Sequence, residues 1–331
     1  MSRGRLTARE ALRTVGLDVD QLRSALDKVL AEGEGYLVGS LACGLGNAAS
    51  DVDVHVLREG VDEPSGPQLF FVGGVTVDVE RYPAHWPAEL ARRAAAAAVV
   101  GLPFGVVALD RPIAGRSRRW ASRWPSALPL RDGAPPVLDE SDVRAVLPLL
   151  LRSALDQLLL ATALARLADA AAAPADARRY LWRRAERQVL ELRCRAAGDV
   201  TTGQKWLSDR AHRLGLAVAE PAGDEASLRS ATAAAGVPAL DEWALTALRP
   251  AGGARQADLA GKRFLVTRHD RVLTEWTEVD GSVRSVVDQI GAARALAAVR
   301  RAELDLVVDG DAVRQVLADH ALPTESDRSA V

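Results

Sequence analysis

The hydrophobic period changes along this chain, and that change limits the possible folds more than any other feature. From Val143 to Leu159 apolar side chains recur at intervals of three and four (Val143, Val146, Leu147, Leu150, Leu151, Leu155, Leu158, Leu159), the spacing of one helix face. Upstream, apolar runs of strand length (Tyr36 to Val38, Val52 to Leu57, Gln68 to Val72, Val75 to Arg81) are separated by segments rich in glycine and small residues. Strands and long helices are thus segregated along the chain, which predicts an α+β architecture with a mixed sheet core followed by a helical domain. The sequence contains no internal repeat of fixed period.

Local signals refine this outline. Over residues 7–31, Leu12, Val15, Leu22, Leu26, Val29 and Leu30 keep a helical spacing that breaks around Gly16 to Asp18. Gly73-Gly74 supplies the positive φ angles of a tight turn, so the two strands beside it should form a hairpin. Pro125, Pro129, Gly133, Pro135 and Pro136 read as a boundary, after which a helical region runs from Asp139 to about Leu216. Its second helix, from about Asp176 to Ala196, is rich in arginine, and a loop over 198–203 leads to a short third segment, Gln204 to Leu214. Residues 217–257 read as a linker around one helix.

A small C-terminal α/β module is expected from Asp258. Arg263 to Arg268 and Val272 to Glu278 alternate like strands, Ser282 to Ile290 and Ala292 to Arg301 read as helical, and Leu304 to Val308 with Val313 to Leu317 close the unit. Its element content is winged-helix-like, and a structural role is expected for it. The predicted domains are residues 1–130, 138–250 and 258–322, with the last residues, Pro323 to Val331, disordered.

Composition removes several function classes. With 331 residues and 48% hydrophobic content the chain can bury roughly two or three domain cores. Lys and Arg number 42 against 44 Asp and Glu, a net charge of −2, so the general basic excess of a nucleic-acid-binding protein is missing. Cys43 and Cys194 are far apart and in no metal-ligand spacing, which fits a reducing, cytoplasmic compartment. No signal peptide follows Met1 to Arg13, and the longest uncharged run, Ala94 to Leu109, is broken by Gly101, Pro103 and Gly105, so no membrane span is predicted. Zinc-hydrolase and P-loop motifs are absent.

The chemistry-bearing residues cluster early. Gly39-Ser40 follows a strand, where backbone N–H groups and a small hydroxyl can approach phosphate oxygens closely. Further on, Ser50 precedes Asp51-Val52-Asp53 at the start of the next strand. Residues two apart on a strand share a face, so Asp51 and Asp53 should project together and share a divalent cation. Asp78 lies on the hairpin among Val75, Val77 and Val79; if its strand pairs beside the first, a third carboxylate joins them, with Glu80 on the same face as the alternative. His55 shares the face of Asp51 and Asp53.

These segments, VGSLACGLGNAASDVDV and FFVGGVTVDVE, resemble the DNA polymerase beta-type nucleotidyltransferase superfamily. Its pattern is a strand, Gly-Ser, a helix, Asp-x-Asp and a third Asp on a later strand. Gly44 and Ser50 are typical of its bacterial small-molecule members. The resemblance covers roughly residues 30–82. It implies two-metal nucleotidyl transfer: Asp51 and Asp53 hold Mg²⁺ on a nucleoside triphosphate, and Asp78 helps a second metal activate an acceptor hydroxyl, with pyrophosphate leaving. It also implies that a lysine of the helical domain reaches the triphosphate. Lys205, in Gln204-Lys205-Trp206-Leu207 and one of three lysines in an arginine-rich chain, is the candidate.

The leading expectation is therefore an enzyme that transfers AMP from ATP, or another nucleotide from its triphosphate, to a hydroxyl of a small molecule such as an aminoglycoside or lincosamide antibiotic, or of a peptide. The Ala- and Arg-rich composition suits a high-GC bacterial source. Two alternatives stand beside it: an antitoxin-like or regulatory nucleotidyltransferase acting on a protein partner, and an RNA terminal transferase, which would need a basic channel. Arg183, Arg184, Arg187 and Arg193 read as a solvated or ion-paired helix face. The scattered histidines and tryptophans read as core or surface residues.

Overall fold

The computed structural model describes residues 6–97, 106–108, 120–201 and 204–237, and beyond them 247–250, 255–259, 262–266, 273–275, 291–293, 296 and 304–309. In chain order the strands are β1 (Glu34–Val38), β2 (Val52–Arg58), β3 (Ser65–Val72), β4 (Val75–Pro83), β5 (Val106–Ala108), β6 (Leu128–Pro129), β7 (Ala247–Pro250), β8 (Arg255–Leu259), β9 (Lys262–Val266), β10 (Leu273–Glu275) and β11 (Leu304–Asp309). The helices are α1 (Ala8–Thr14), α2 (Val19–Ala25), α3 (Asp27–Leu30), α4 (Gly39–Ala42), α5 (Trp86–Ala97), α6 (Glu140–Ala170), α7 (Ala175–Ala196), α8 (Leu207–Arg213) and α9 (Glu225–Ala234). The protein is α+β. Contacts group it into two compact units, residues 1–98, 113–150 and 197–218 in one and 99–112, 151–196 and 219–331 in the other.

The first unit is built on a five-stranded mixed sheet of order β3-β4-β2-β1-β6. β2 and β4 run parallel, and every other neighbouring pair is antiparallel. The hairpin β3–β4 turns on Gly73 (φ 57°) and Gly74 (φ 83°), both in the left-handed region that a two-residue type I′ turn requires. The break expected near Gly16 is equally local in origin. Gly16 has φ 84°, and Asp18 then caps α2 by accepting from the backbone N–H of Gln21 at 2.8 Å.

The two faces of this sheet differ in chemistry. Leu37, Val52, Val54, Val56, Val77 and Val79 are fully buried and pack with Leu12 of α1, Leu22 of α2 and Leu26, which joins α2 to α3. The opposite face carries Tyr36 and Val38 from β1, Asp53 and His55 from β2, and Asp78, Glu80 and Tyr82 from β4. Its apolar part is closed by Leu90, Trp124, Leu138, Val146 and Leu149. Each fully buried aliphatic side chain contributes about 1.5–3 kcal/mol, so both layers are needed to hold the sheet.

The proline-rich stretch expected to be a boundary contributes a 3-10 turn, Trp124–Ser126, and strand β6, whose Leu128 and Pro129 pair with Leu37 and Tyr36. Just before α6, the Asp139 carboxylate accepts from Ser141 Oγ at 2.6 Å and from the Asp142 N–H at 2.8 Å. These bonds hold its carboxyl below the ordinary range, the hydroxyl first.

In the second unit α6 contributes Leu151, Leu155, Leu158 and Leu159, which pack with Trp182, Val189 and Leu192 of α7 and Leu228 of α9. By length and composition α6 could cross a membrane, yet 72% of its most apolar window is buried inside the protein, as in the core helix of a globular protein. Strands β7 to β11, which follow α9, form two antiparallel sheets, β10-β9-β8 and β5-β11-β7, the second completed by β5 from before α6. The predicted helix over 282–290, the segment 313–317 and the tail 323–331 lie outside the described residues, and of 292–301 only 292, 293 and 296 are described, as helical.

Candidate functional site

Parallel pairing of β2 with β4 sets Asp53 directly opposite Asp78 and His55 opposite Glu80. The carboxylates therefore gather at one end of one sheet face, while the aromatic side chains fill the other. Asp51 sits just before β2 and is exposed; Asp53 is partly buried. Burial pushes the Asp53 carboxyl above its usual range, Arg123 pulls it back, and the negative charges of Asp78, Glu80 and Asp51 raise it again. Asp78 is raised for the same reasons: burial first, then Asp51 and Glu80. Its Oδ1 is buried without a hydrogen-bond partner.

This end of the sheet is electrostatically unfavourable to the fold. An acid whose folded pKa lies above its unfolded value stabilises the protein only at low pH, and that contribution is lost as pH rises through the folded pKa. Asp78→Asn should accordingly raise the melting temperature at pH 7 by a small amount, on the order of 1–3 °C, with the gain fading as the pH falls toward about 4. Thermal scans at pH 7 and pH 4 check this; a lower melting temperature at pH 7 would contradict it.

The Gly-Ser segment closes over the same carboxylates. Gly39 follows β1 with φ 76°, and a Cβ there would overlap the Asp53 carboxylate. Glycine is thus required twice, by conformation and by the approach to Asp53. Gly39→Ala is expected to cost about 1–3 kcal/mol of stability, readable in urea unfolding, and to displace Asp53; a silent substitution would show that the contact is dispensable. The helix expected after Gly-Ser is a single turn, Gly39–Ala42. Ser50 Oγ then ties off the following turn, accepting from the Asn47 N–H at 3.0 Å.

Gly39, Ser40, Cys43, Ser50, Asp51 and Asp53 line a cavity of about 320 Å³ together with Ser122, Arg123, Thr201, Lys205 and Trp206. All belong to the first compact unit. Lys205 is exposed, with Nζ 5.2 Å from the centre of the Trp206 ring, a cation–π distance. The α8 end of this segment is fixed by Arg213, which donates to the backbone carbonyl of Cys43 at 3.0 Å and to that of Gly44. Asp78, its alternative Glu80, and His55 do not line the cavity; Asp78 stands beside Asp53 in the sheet, and Glu80 beside His55. Arg183, Arg184 and Arg187 are exposed on α7.

The sequence reading missed Arg123. Its Nη2 lies 3.3 Å from Asp53 Oδ1 and its Nη1 3.4 Å from His55 Nε2. The next residue, Trp124, is 1% exposed and donates its indole N–H to His55 Nδ1 at 3.0 Å. Trp120 stacks on it with ring centres 5.6 Å apart and 9° between planes. The pair Trp120 and Trp124, one turn apart, is the signal that could have drawn attention to this segment. Glu80 accepts from the Tyr82 hydroxyl; burial first and then this bond push that phenol above its ordinary range.

Asp51, Asp53 and Asp78 offer the hard oxygen donors that Mg²⁺ takes, and Asp78 Oδ1, buried without a hydrogen-bond partner, fits such a donor. Among the described residues no three such groups converge tightly enough to cage a metal on their own. The two observations are compatible, because Mg²⁺ commonly uses one or two carboxylates together with waters and substrate phosphates. In comparisons with known proteins, no family model and no curated protein matches this sequence.

Proposed function

We propose that this chain is a metal-dependent nucleotidyltransferase with a core of the DNA polymerase beta type. It would transfer a nucleoside monophosphate, AMP from ATP in the leading case, to a hydroxyl of a small molecule or peptide and release pyrophosphate. One observation carries the reading: Gly39, Ser40, Asp51, Asp53 and Lys205, far apart in sequence, line one cavity, with Asp78 across the ladder from Asp53. A surface that repels itself at neutral pH is a cost expected where carboxylates serve chemistry. The free thiols of Cys43 and Cys194 suit a cytoplasmic setting.

In this reading the N–H groups and hydroxyl of Gly39-Ser40 donate to phosphate oxygens, and Lys205, lining the same cavity, supplies positive charge. Asp51, Asp53 and Asp78 would hold Mg²⁺, which when bound would neutralise triphosphate charge and lower the pKa of the attacking hydroxyl. Asp78, across the ladder from Asp53, would help to orient and activate the attacking hydroxyl from its side of the site.

Calorimetry on the wild-type chain and a Lys205→Ala variant, with Mg-ATP and with AMP, tests this assignment. The variant should bind Mg-ATP about tenfold more weakly and AMP within about twofold of wild type. Equal losses for both ligands would remove Lys205 from the phosphate site. Absence of saturable Mg-ATP binding in the wild type would contradict the reading as a whole.

A further inference from the structure

We propose that Arg123 is a positioning residue with two alternative partners: it holds Asp53 while the carboxylates carry no metal, and it turns to the triphosphate once metal takes Asp53. The inference rests on the nucleotidyl-transfer reading above. Asp53 is crowded by Asp51, Asp78 and Glu80, so a cation beside it relieves the repulsion, and Arg123, at 3.3 Å, supplies one. A divalent cation bound by the same carboxylate competes with that ion pair directly.

The geometry also says where the guanidinium can go. His55 Nδ1 accepts from Trp124, which puts the ring proton on Nε2, the atom facing Arg123 Nη1. Nε2 then has no lone pair to offer, so Asp53 is the anionic partner that fixes the guanidinium and His55 is a wall against which it rests. The backbone of Arg123 is anchored at the same time: its carbonyl accepts from Ser126 Oγ at 3.3 Å, and Trp124 is locked in the core. The side chain lines the same cavity as Gly39, Ser40 and Lys205. Released from Asp53, its planar fork of donors therefore stays beside the proposed phosphate site, a group for which arginine has better geometry than lysine.

Competition of this kind has a signature that a merely structural arginine lacks, because metal and nucleotide affinities move in opposite directions. Calorimetry on the full chain, with Mn²⁺ alone and with Mg-ATP, compares wild type with Arg123→Gln and Arg123→Lys. Arg123→Gln should bind Mn²⁺ alone about 3–10-fold more tightly and Mg-ATP about tenfold more weakly. Arg123→Lys, which keeps the charge, should return Mn²⁺ affinity to near wild type and recover part of the Mg-ATP affinity. Circular dichroism and melting temperature establish that the variants are folded; if Arg123→Gln does not fold, Arg123→Lys and wild type still differ in Mg-ATP affinity with Mn²⁺ affinity unchanged. Weaker or unchanged Mn²⁺ binding in folded Arg123→Gln, or unchanged Mg-ATP affinity in both variants, overturns the role given to Arg123 and leaves the enzyme reading standing. A wild-type chain that binds neither Mn²⁺ nor Mg-ATP overturns both.

Discussion

Under the proposed function, Asp53→Asn is expected to remove metal-dependent nucleotide binding and to lower kcat/KM for nucleotidyl transfer by at least about 10³-fold, with the fold retained. The loss is large because the same carboxylate faces three roles at once. It lies opposite Asp78 in the ladder, under the Gly39-Ser40 turn, and against Arg123 at 3.3 Å. An amide is nearly the same shape but carries no charge, so it would neither attract a hard cation nor hold Arg123. A 10³-fold loss corresponds to about 4 kcal/mol of transition-state stabilisation, within the range of removing one preorganised electrostatic group. The fold should survive, because burial already disfavours the charged form of Asp53. Steady-state kinetics, once an acceptor is in hand, and Mg-ATP calorimetry before that, measure the effect. A variant that binds and turns over like wild type would contradict the metal role given to Asp53.

The largest stability effect is expected at Trp124. Its indole is 1% exposed, stacks on Trp120, meets Tyr82 edge-on with ring centres 5.9 Å apart, and donates to His55 at 3.0 Å. Trp124→Ala would empty that volume and leave His55 Nδ1 without its donor, a loss of about 3–5 kcal/mol. Trp124→Phe keeps most of the packing and loses the hydrogen bond, which should cost about 1–3 kcal/mol. Urea midpoints of the two variants separate the packing contribution from the polar one. Equal midpoints for Trp124→Phe and wild type would show that the His55 contact contributes nothing. Because Arg123 is the neighbouring residue, Trp124→Phe should also weaken Mg-ATP binding.

The parts of the fold that sequence made legible are those set by short-range physics. Gly73-Gly74 marked a hairpin because two consecutive positive φ angles leave few alternatives. The break near Gly16 and the limits of α7, expected at Asp176 to Ala196 and found at Ala175–Ala196, follow from capping and periodicity. Long-range pairing was less legible. β6 is two residues inside a proline-rich stretch, and β5 joins β11 across about 200 residues of sequence, so neither has a local signature. In the site, Asp53 and Asp78 were readable because a strand fixes which side chains share a face. Arg123 was not, since its partner is 70 residues away in sequence and arginine is this chain's habitual cation.

The most direct test of the central claim is a calorimetric titration of the full chain with each of the four nucleoside triphosphates, with and without Mg²⁺, repeated on Asp51→Asn. The account predicts saturable binding of at least one triphosphate that requires Mg²⁺ and is lost in the variant. Absence of binding in the wild type, or binding that ignores both Mg²⁺ and Asp51, would contradict it.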